Sequence, residues 1–241
     1  MDRPLSSVML AEVYGTFLLT FGGTAAIVAA SDAAAFPVGP TLGLGFIGLA
    51  FGISLVAGIA TVGTVSGAHF NSAVTLALTA AGRFPARRAP AYIVSQFIGA
   101  TLAAAVLLGI VGQTIASSGG VDLGSTVPNL SLPTPETASL IAEIVGTMFL
   151  AFVILGSTDP DSSGTSWGTL GIGLTLAASI WALGSVSGAS LNPARSFGPA
   201  FVSLLFDKTP IDYYWIYVAG PVLGGLVAAM LYRLIYRRQP A

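Results

Sequence analysis

The chain has 241 residues, of which 54% are hydrophobic and only 8% charged; nine Lys and Arg stand against ten Asp and Glu. Soluble domains carry about 25% charged residues, so the composition points to an integral membrane protein of helices, and its balanced charge offers no basic surface for nucleic acid. With no cysteine, the chain has no disulfide, no thiolate metal site and no cysteine nucleophile.

Met1–Ser7 is short and poorly basic, and the apolar run behind it is too long for a signal-peptide core and carries Glu12. It therefore reads as a retained first span. Six long apolar segments occur, at roughly 6–30, 40–62, 89–112, 137–157, 167–186 and 213–236, each near the ~20 residues a helix needs to cross the hydrocarbon core. Two shorter stretches, 71–80 and 192–203, start at asparagines. At ~1.5 Å per residue they reach only halfway. A half-length helix sits inside a bilayer only where its irregular lead-in is buried in protein or lines a wet cavity. The expected fold is thus an all-α membrane protein with six transmembrane helices and two re-entrant half helices.

The two halves repeat. Ala11–Thr20 reads AEVYGTFLLT and Ala142–Ala151 reads AEIVGTMFLA; Ser66–Thr75 reads SGAHFNSAVT and Ser187–Pro199 reads SGASLNPARSFGP. Asn71 and Asn192 lie 121 residues apart. Repeat one covers about 6–112 and repeat two about 137–236, joined by a Gly-, Ser- and Pro-rich loop over about 113–136, all in a single transmembrane domain of residues 1–241. Three full spans per repeat force the copies into opposite orientations, an inverted repeat whose functional site falls at the repeat interface near the midplane.

Arg83, Arg87 and Arg88 follow the first half helix, and Arg233, Arg237 and Arg238 follow the last span, on the same side as Arg3. That side is assigned to the cytoplasm, with both termini. The outer loops carry Asp32, Asp122, Glu136, Asp207 and Asp212, with Lys208 the only base. The inner connection at 156–166 holds Asp159 and Asp161 and does not help the assignment. Gly43, Gly45, Gly48, Gly52, Gly220, Gly224 and Gly225 recur at helix-contact spacing, as small residues do where membrane helices approach closely.

Asparagine is a good helix N-cap and proline suits the next position. Asn192-Pro193 fits that pattern well, and Asn71-Ser72 less well. Two half helices meeting tip to tip would present two partial positive charges and two amide donors at the membrane centre. A neutral molecule with lone pairs is held there and a cation repelled. The carbonyls of Gly67, Ala68 and His69, and of Gly188, Ala189 and Ser190, cannot all bond internally and would form ladders of acceptors along a pore. Arg195 is the only charge within the two motifs. An intramembrane arginine is a functional-site hypothesis by default; the bland alternative is a structural ion pair, although its segment contains no acid.

These motifs resemble those of the aquaporins, the major intrinsic protein family, over nearly the whole chain. The resemblance implies a right-handed bundle enclosing one pore per subunit, in a homotetramer in the cell membrane, with no cofactor. Ser72 departs from the family's Asn-Pro-Ala, which removes a rigid proline contact and would loosen the pore centre. The resemblance places Arg195 in the outer constriction with Phe51, Ile180 and Ala189, where strict water channels carry histidine in place of Ile180. Without the family, Phe51 and Ile180 would read as ordinary core or lipid-facing bulk. It also implies that Glu12 and Glu143 accept hydrogen bonds from the pore loops; the alternative for such intramembrane carboxylates is a proton relay. His69, the only histidine, is either pore-lining or packed, and alone makes no metal site.

Ser196, Ala200 and the short segment from Asn192 to Pro221 match water-selective members, whereas Ile180 points to a wider or greasier pore. The expectation is a passive water channel that excludes protons and ions and leaks glycerol, ammonia or dissolved gases. Two other classes compete: a secondary transporter of the inverted-repeat type, for a small anion or neutral solute, and a structural junction protein. No catalytic constellation appears, so no enzyme is expected.

Overall fold

The computed structural model describes residues 3–31, 40–116, 122–162, 167–207 and 209–236. Asp32, Lys208, Arg237 and Arg238 lie outside the described residues. Six helices are long and apolar enough to cross a membrane. They are α1 (Leu5–Ser31), α2 (Pro40–Ser66), α4 (Ala89–Ala116), α5 (Pro135–Ser157), α6 (Gly168–Ser187) and α9 (Ile216–Ile235). Two short helices, α3 (Ser72–Ala80) and α7 (Pro193–Ser203), fall at the predicted half-length positions, and a single turn, α8 (Thr209–Asp212), precedes α9. Within α4 the helical backbone is interrupted at Gly112, whose φ is 73°, a left-handed conformation that glycine adopts without steric cost.

Polarity is inverted relative to a soluble bundle. Leu10, Ile53 and Ile110 are largely exposed, while Glu12, Thr16, Thr20, Glu143 and Thr147 are fully buried. Backbone bonds close within each helix, so its outer surface can be apolar all round and the polar groups gather at the centre.

The packing is symmetric. α1 packs on α2 and α4, α5 packs on α6 and α9, and α2 meets α6 across the middle. Each half helix docks mainly on the opposite half: α3 on α9, and α7 on α4. Glycines set these approaches. A Cβ at Gly99 would come within 2.4 Å of the Val13 carbonyl, and one at Gly224 within 2.2 Å of the Ile144 carbonyl. Gly52 and Gly173 face one another in the same way, each closing on the other's carbonyl. Close contact of this kind substitutes for the hydrophobic drive that lipid does not supply between helices.

At one end of the bundle Arg83, just after α3, is 3.5 Å from Asp159. It also donates to the Thr158 carbonyl (2.6 Å) and the Tyr232 hydroxyl (2.5 Å). Tyr232 in turn donates to Asp159. One carboxylate in the 156–166 connection, Asp159, is thus paired with the arginine that follows the first half helix.

Candidate functional site

Both asparagines cap their half helices. Asn71 Oδ1 accepts from the amides of Ala73 (2.9 Å) and Val74 (3.3 Å), and Asn192 Oδ1 from those of Ala194 (3.1 Å) and Arg195 (3.3 Å). Each then reaches across the interface. Asn71 Nδ2 donates to the Leu191 carbonyl at 2.7 Å, and Asn192 Nδ2 donates to the Phe70 carbonyl at 2.8 Å. An amide nitrogen has two hydrogens; one ties the two loops together and the second remains for a guest. The loss of proline at Ser72 is met by another contact: its hydroxyl donates to Gln96 Oε1 at 3.2 Å.

The loops entering the two helices share one backbone pattern. Gly67, Ala68 and Phe70 have φ of 88°, 54° and 49°, and Gly188, Ala189 and Leu191 have φ of 79°, 43° and 56°. Left-handed backbone at non-glycine residues costs on the order of 1–3 kcal/mol each, so something must hold it. Glu12 Oε1 accepts from Ser66 Oγ (2.7 Å) and the His69 amide (3.0 Å), while its Oε2 accepts from the Phe70 amide (2.8 Å) and Gln96 Nε2 (2.8 Å). Glu143 matches it: Oε1 takes Ser187 Oγ (2.8 Å) and the Ser190 amide (2.9 Å), and Oε2 the Leu191 amide (2.7 Å). Bonds to a charged acceptor contribute about 1.5–3 kcal/mol apiece, enough to offset the strain. Phe70 and Leu191 anchor the tips by packing where any Cβ at Gly15 or Gly146 would collide with them.

With the amides of His69, Phe70, Ser190 and Leu191 drawn to the carboxylates and those of Ala68 and Ala189 to the Ser66 and Ser187 hydroxyls, the loops are left with bare acceptors. Among the described residues, none of the carbonyls of Gly67, Ala68, His69, Gly188, Ala189 and Ser190 accepts a hydrogen bond from the protein. The flanking carbonyls of Ser66 and Ser187 are taken by the Tyr92 and Tyr217 hydroxyls, at 2.5 and 2.7 Å.

A cavity of about 290 Å³ runs past these loops, room for several waters at ~30 Å³ each in the liquid. Gly67, Ala68, His69, Asn71, Ser190 and Asn192 line its polar side, and Leu55, Ile59, Leu150, Ile154, Ile172 and Leu176 its apolar side. Phe51 and Arg195 border it too. Arg195 is 2% exposed; its Nη1 donates to the Gly124 carbonyl at 3.0 Å, and its Cζ lies 4.8 Å from the Phe51 ring centre. Among the described residues, Nη2 has no protein partner although buried. A buried donor left unpaired carries a free-energy cost. Of the other expected residues, Gly188, Ala189 and Ile180 are not among those lining the cavity; Ile180 and Ala189 are each 2% exposed, in the aliphatic cluster that also holds Phe51 and Leu176.

Several supporting residues are not apparent in the sequence. The connection read as an outer loop turns inward at Asp122–Gly124 to offer the Gly124 carbonyl to Arg195. Thr126 Oγ1 pairs with Ser196 Oγ at 2.7 Å, and Ser196 Oγ with Ser190 Oγ at 2.5 Å. Gln96, Tyr92 and Tyr217 sit in apolar spans with no motif around them, and the aliphatic wall is indistinguishable in sequence from lipid-facing residues.

Fold and site together define a polytopic helical membrane protein whose two re-entrant half helices meet beside a narrow half-polar, half-apolar passage. The chain belongs to the major intrinsic protein family, whose model matches residues 3–232. It is 39% identical over 247 residues to a probable aquaporin, AqpM, of Archaeoglobus fulgidus, covering 98% of this chain and 99% of that one. It is 38% identical over 234 residues to aquaporin Z of Rhodopseudomonas palustris, covering 94% and 92%. Among solved structures it superposes on the aquaglyceroporin from Plasmodium falciparum with a TM-score of 0.82 and 25% identity, covering 97% of this chain and 98% of that one.

Proposed function

We propose that this chain is a passive channel that conducts water in single file through the cavity and excludes protons and ions. The observation that carries the reading is the pair of asparagines at the half-helix tips, each bonded to the opposite loop and each lining the cavity. A permeating water's oxygen meets amide donors at the centre and its hydrogens meet carbonyls on either side. The positive ends of both half helices and the Arg195 guanidinium oppose a cation at the same place. Phe51, Ile180, Ala189 and Arg195 form the outer filter in this reading, with Ile180 supplying apolar bulk behind the lining and admitting slightly larger neutral solutes such as glycerol, ammonia or dissolved gases. The relatives named aquaporin and the aquaglyceroporin neighbour support both halves of that range.

The secondary-transporter reading is not favoured: Glu12 and Glu143, which it would need as coupling groups, are fully engaged with backbone and hydroxyl donors of the loops. In keeping with family membership, the functional unit is a homotetramer in the cell membrane, with both termini cytoplasmic, the repeats divided at about 113–136, and no enzymatic activity. Stopped-flow light scattering on proteoliposomes tests the proposal. Shrinkage under an osmotic gradient should be much faster than in empty vesicles and only weakly temperature-dependent; equal rates and temperature dependence would refute it.

A further inference from the structure

His69 is the one ring whose nitrogens border the passage, and its surroundings decide which of them carries the proton. Nδ1 lies 3.1 Å from Thr75 Oγ1. Nε2 sits beside Gly67, where a Cβ would come within 3.6 Å of it. Among the described residues no protein group hydrogen-bonds it, and it is not a buried atom left without a partner. It is therefore open to the cavity that His69 lines.

Three contacts converge on Thr75 Oγ1, and a hydroxyl has one hydrogen and two lone pairs. Gln96 Nε2 approaches at 3.0 Å, the Asn71 carbonyl at 3.1 Å and His69 Nδ1 at 3.1 Å. The amide orientation of Gln96 is fixed from both ends. Its nitrogen faces the acceptor-only carboxylate of Glu12 at 2.8 Å, and its oxygen takes the Ser72 hydroxyl at 3.2 Å. Gln96 must then donate to Thr75. If Thr75 spends its hydrogen on the Asn71 carbonyl, Nδ1 must be the donor and all three contacts are hydrogen bonds. If Thr75 donates to Nδ1 instead, the Asn71 contact is forfeited. The first arrangement makes one bond more.

We infer that Thr75 is a positioning residue that holds His69 as the Nδ1–H tautomer, with Gln96 and Ser72 setting the direction of the hydrogen bonds, so that the Nε2 lone pair faces the passage as an acceptor. This is the opposite of the tautomer that a free neutral histidine side chain favours in water. It gives the Gly67–His69 side of the passage one side-chain acceptor in register with its bare carbonyls, so a permeant meets acceptors throughout that stretch. Ser72 gains a role through this relay that proline, having no hydroxyl, cannot fill.

Because His69 is the only histidine, nitrogen-15 labelling of histidine gives a spectrum of this ring alone. Solid-state NMR on the full chain in lipid should find the proton chiefly on Nδ1; a proton chiefly on Nε2 overturns the inference. Thr75→Ser should keep the wild-type ratio of tautomers, and its loss there also counts against the relay. Thr75→Val should lower the Nδ1–H to Nε2–H ratio by about fivefold, the equilibrium value of one neutral hydrogen bond; an unchanged ratio overturns the role of Thr75. The wild-type spectrum decides the matter even where Thr75→Val does not fold. The readout needs no flux, so a chain that failed to conduct would refute the channel and leave this result standing.

Discussion

Glu143→Gln is the sharpest perturbation of the scaffold because it keeps shape and removes one acceptor and the charge. In the native chain Oε1 serves two donors and Oε2 serves the Leu191 amide at 2.7 Å. The glutamine keeps its oxygen on the Ser187 and Ser190 side, where it saves two bonds, and turns its NH2 toward the Leu191 N–H. One buried backbone donor is then orphaned, which costs about 1–3 kcal/mol, and the two surviving bonds fall from charge-assisted to neutral strength, about 1 kcal/mol each. The sum is about 3–5 kcal/mol. Leu191 also holds left-handed backbone (φ 56°) and its carbonyl takes the Asn71 amide, so the loss falls on the junction between the loops. At 1.4 kcal/mol per tenfold, a misplaced Leu191 peptide that is rare in the native chain rises by a factor of about 100 or more. Water permeability per reconstituted chain, by stopped-flow scattering, should drop severalfold and the thermal midpoint in detergent should fall. Native values for both in Glu143→Gln would refute the claim that this carboxylate holds the loop.

Other expectations concern the outer filter, the first half-helix start and the outer loop. Ile180→His replaces apolar bulk behind the filter with a polar ring and should lower glycerol flux while sparing water; equal glycerol uptake in both forms removes Ile180 from selectivity. Ser72→Pro loses one neutral bond of 3.2 Å to Gln96, a loss of about 1 kcal/mol that the stiffer unfolded chain largely returns. Water permeability should stay near native, and a misfolded protein would contradict the match between Asn71-Ser72 and a helix start. Burial, and then the neighbouring Asp207 carboxyl, pushes Asp122 up to about 6. A raised carboxyl favours the fold when protonated, so this contribution is present at low pH and lost as pH rises through about 6. The thermal midpoint should fall between about pH 4 and pH 7 by more in the native chain than in Asp122→Asn; parallel curves would refute it.

The spans and both half helices were legible because bilayer thickness sets a length and asparagine caps set a start. The duplicated Ser-Gly-Ala-x-x-Asn motif and the paired Glu12 and Glu143 announced the centre, since polar groups in an apolar chain need partners. What could not be read was the support. Gly124 reaches Arg195 from 71 positions away through a backbone carbonyl, which has no residue signature. Tyr92, Gln96 and Tyr217 act from helices that are apolar on every face, so periodicity does not mark their inner side. For the same reason Leu150, Ile154, Ile172 and Leu176 line the cavity without differing in type from residues that face lipid. Ser72 read as a weakened motif because its partner, Gln96, lies 24 positions away on a different helix.

The most direct test of the central claim follows water and protons in the same proteoliposomes, with scattering reporting volume and a trapped pH-sensitive dye reporting the lumen. Two half-helix tips that welcome uncharged molecules and repel cations predict rapid shrinkage while an imposed pH gradient persists as long as in empty vesicles, even when a potassium ionophore removes any opposing potential. A gradient that collapses in proportion to the protein present would contradict the account.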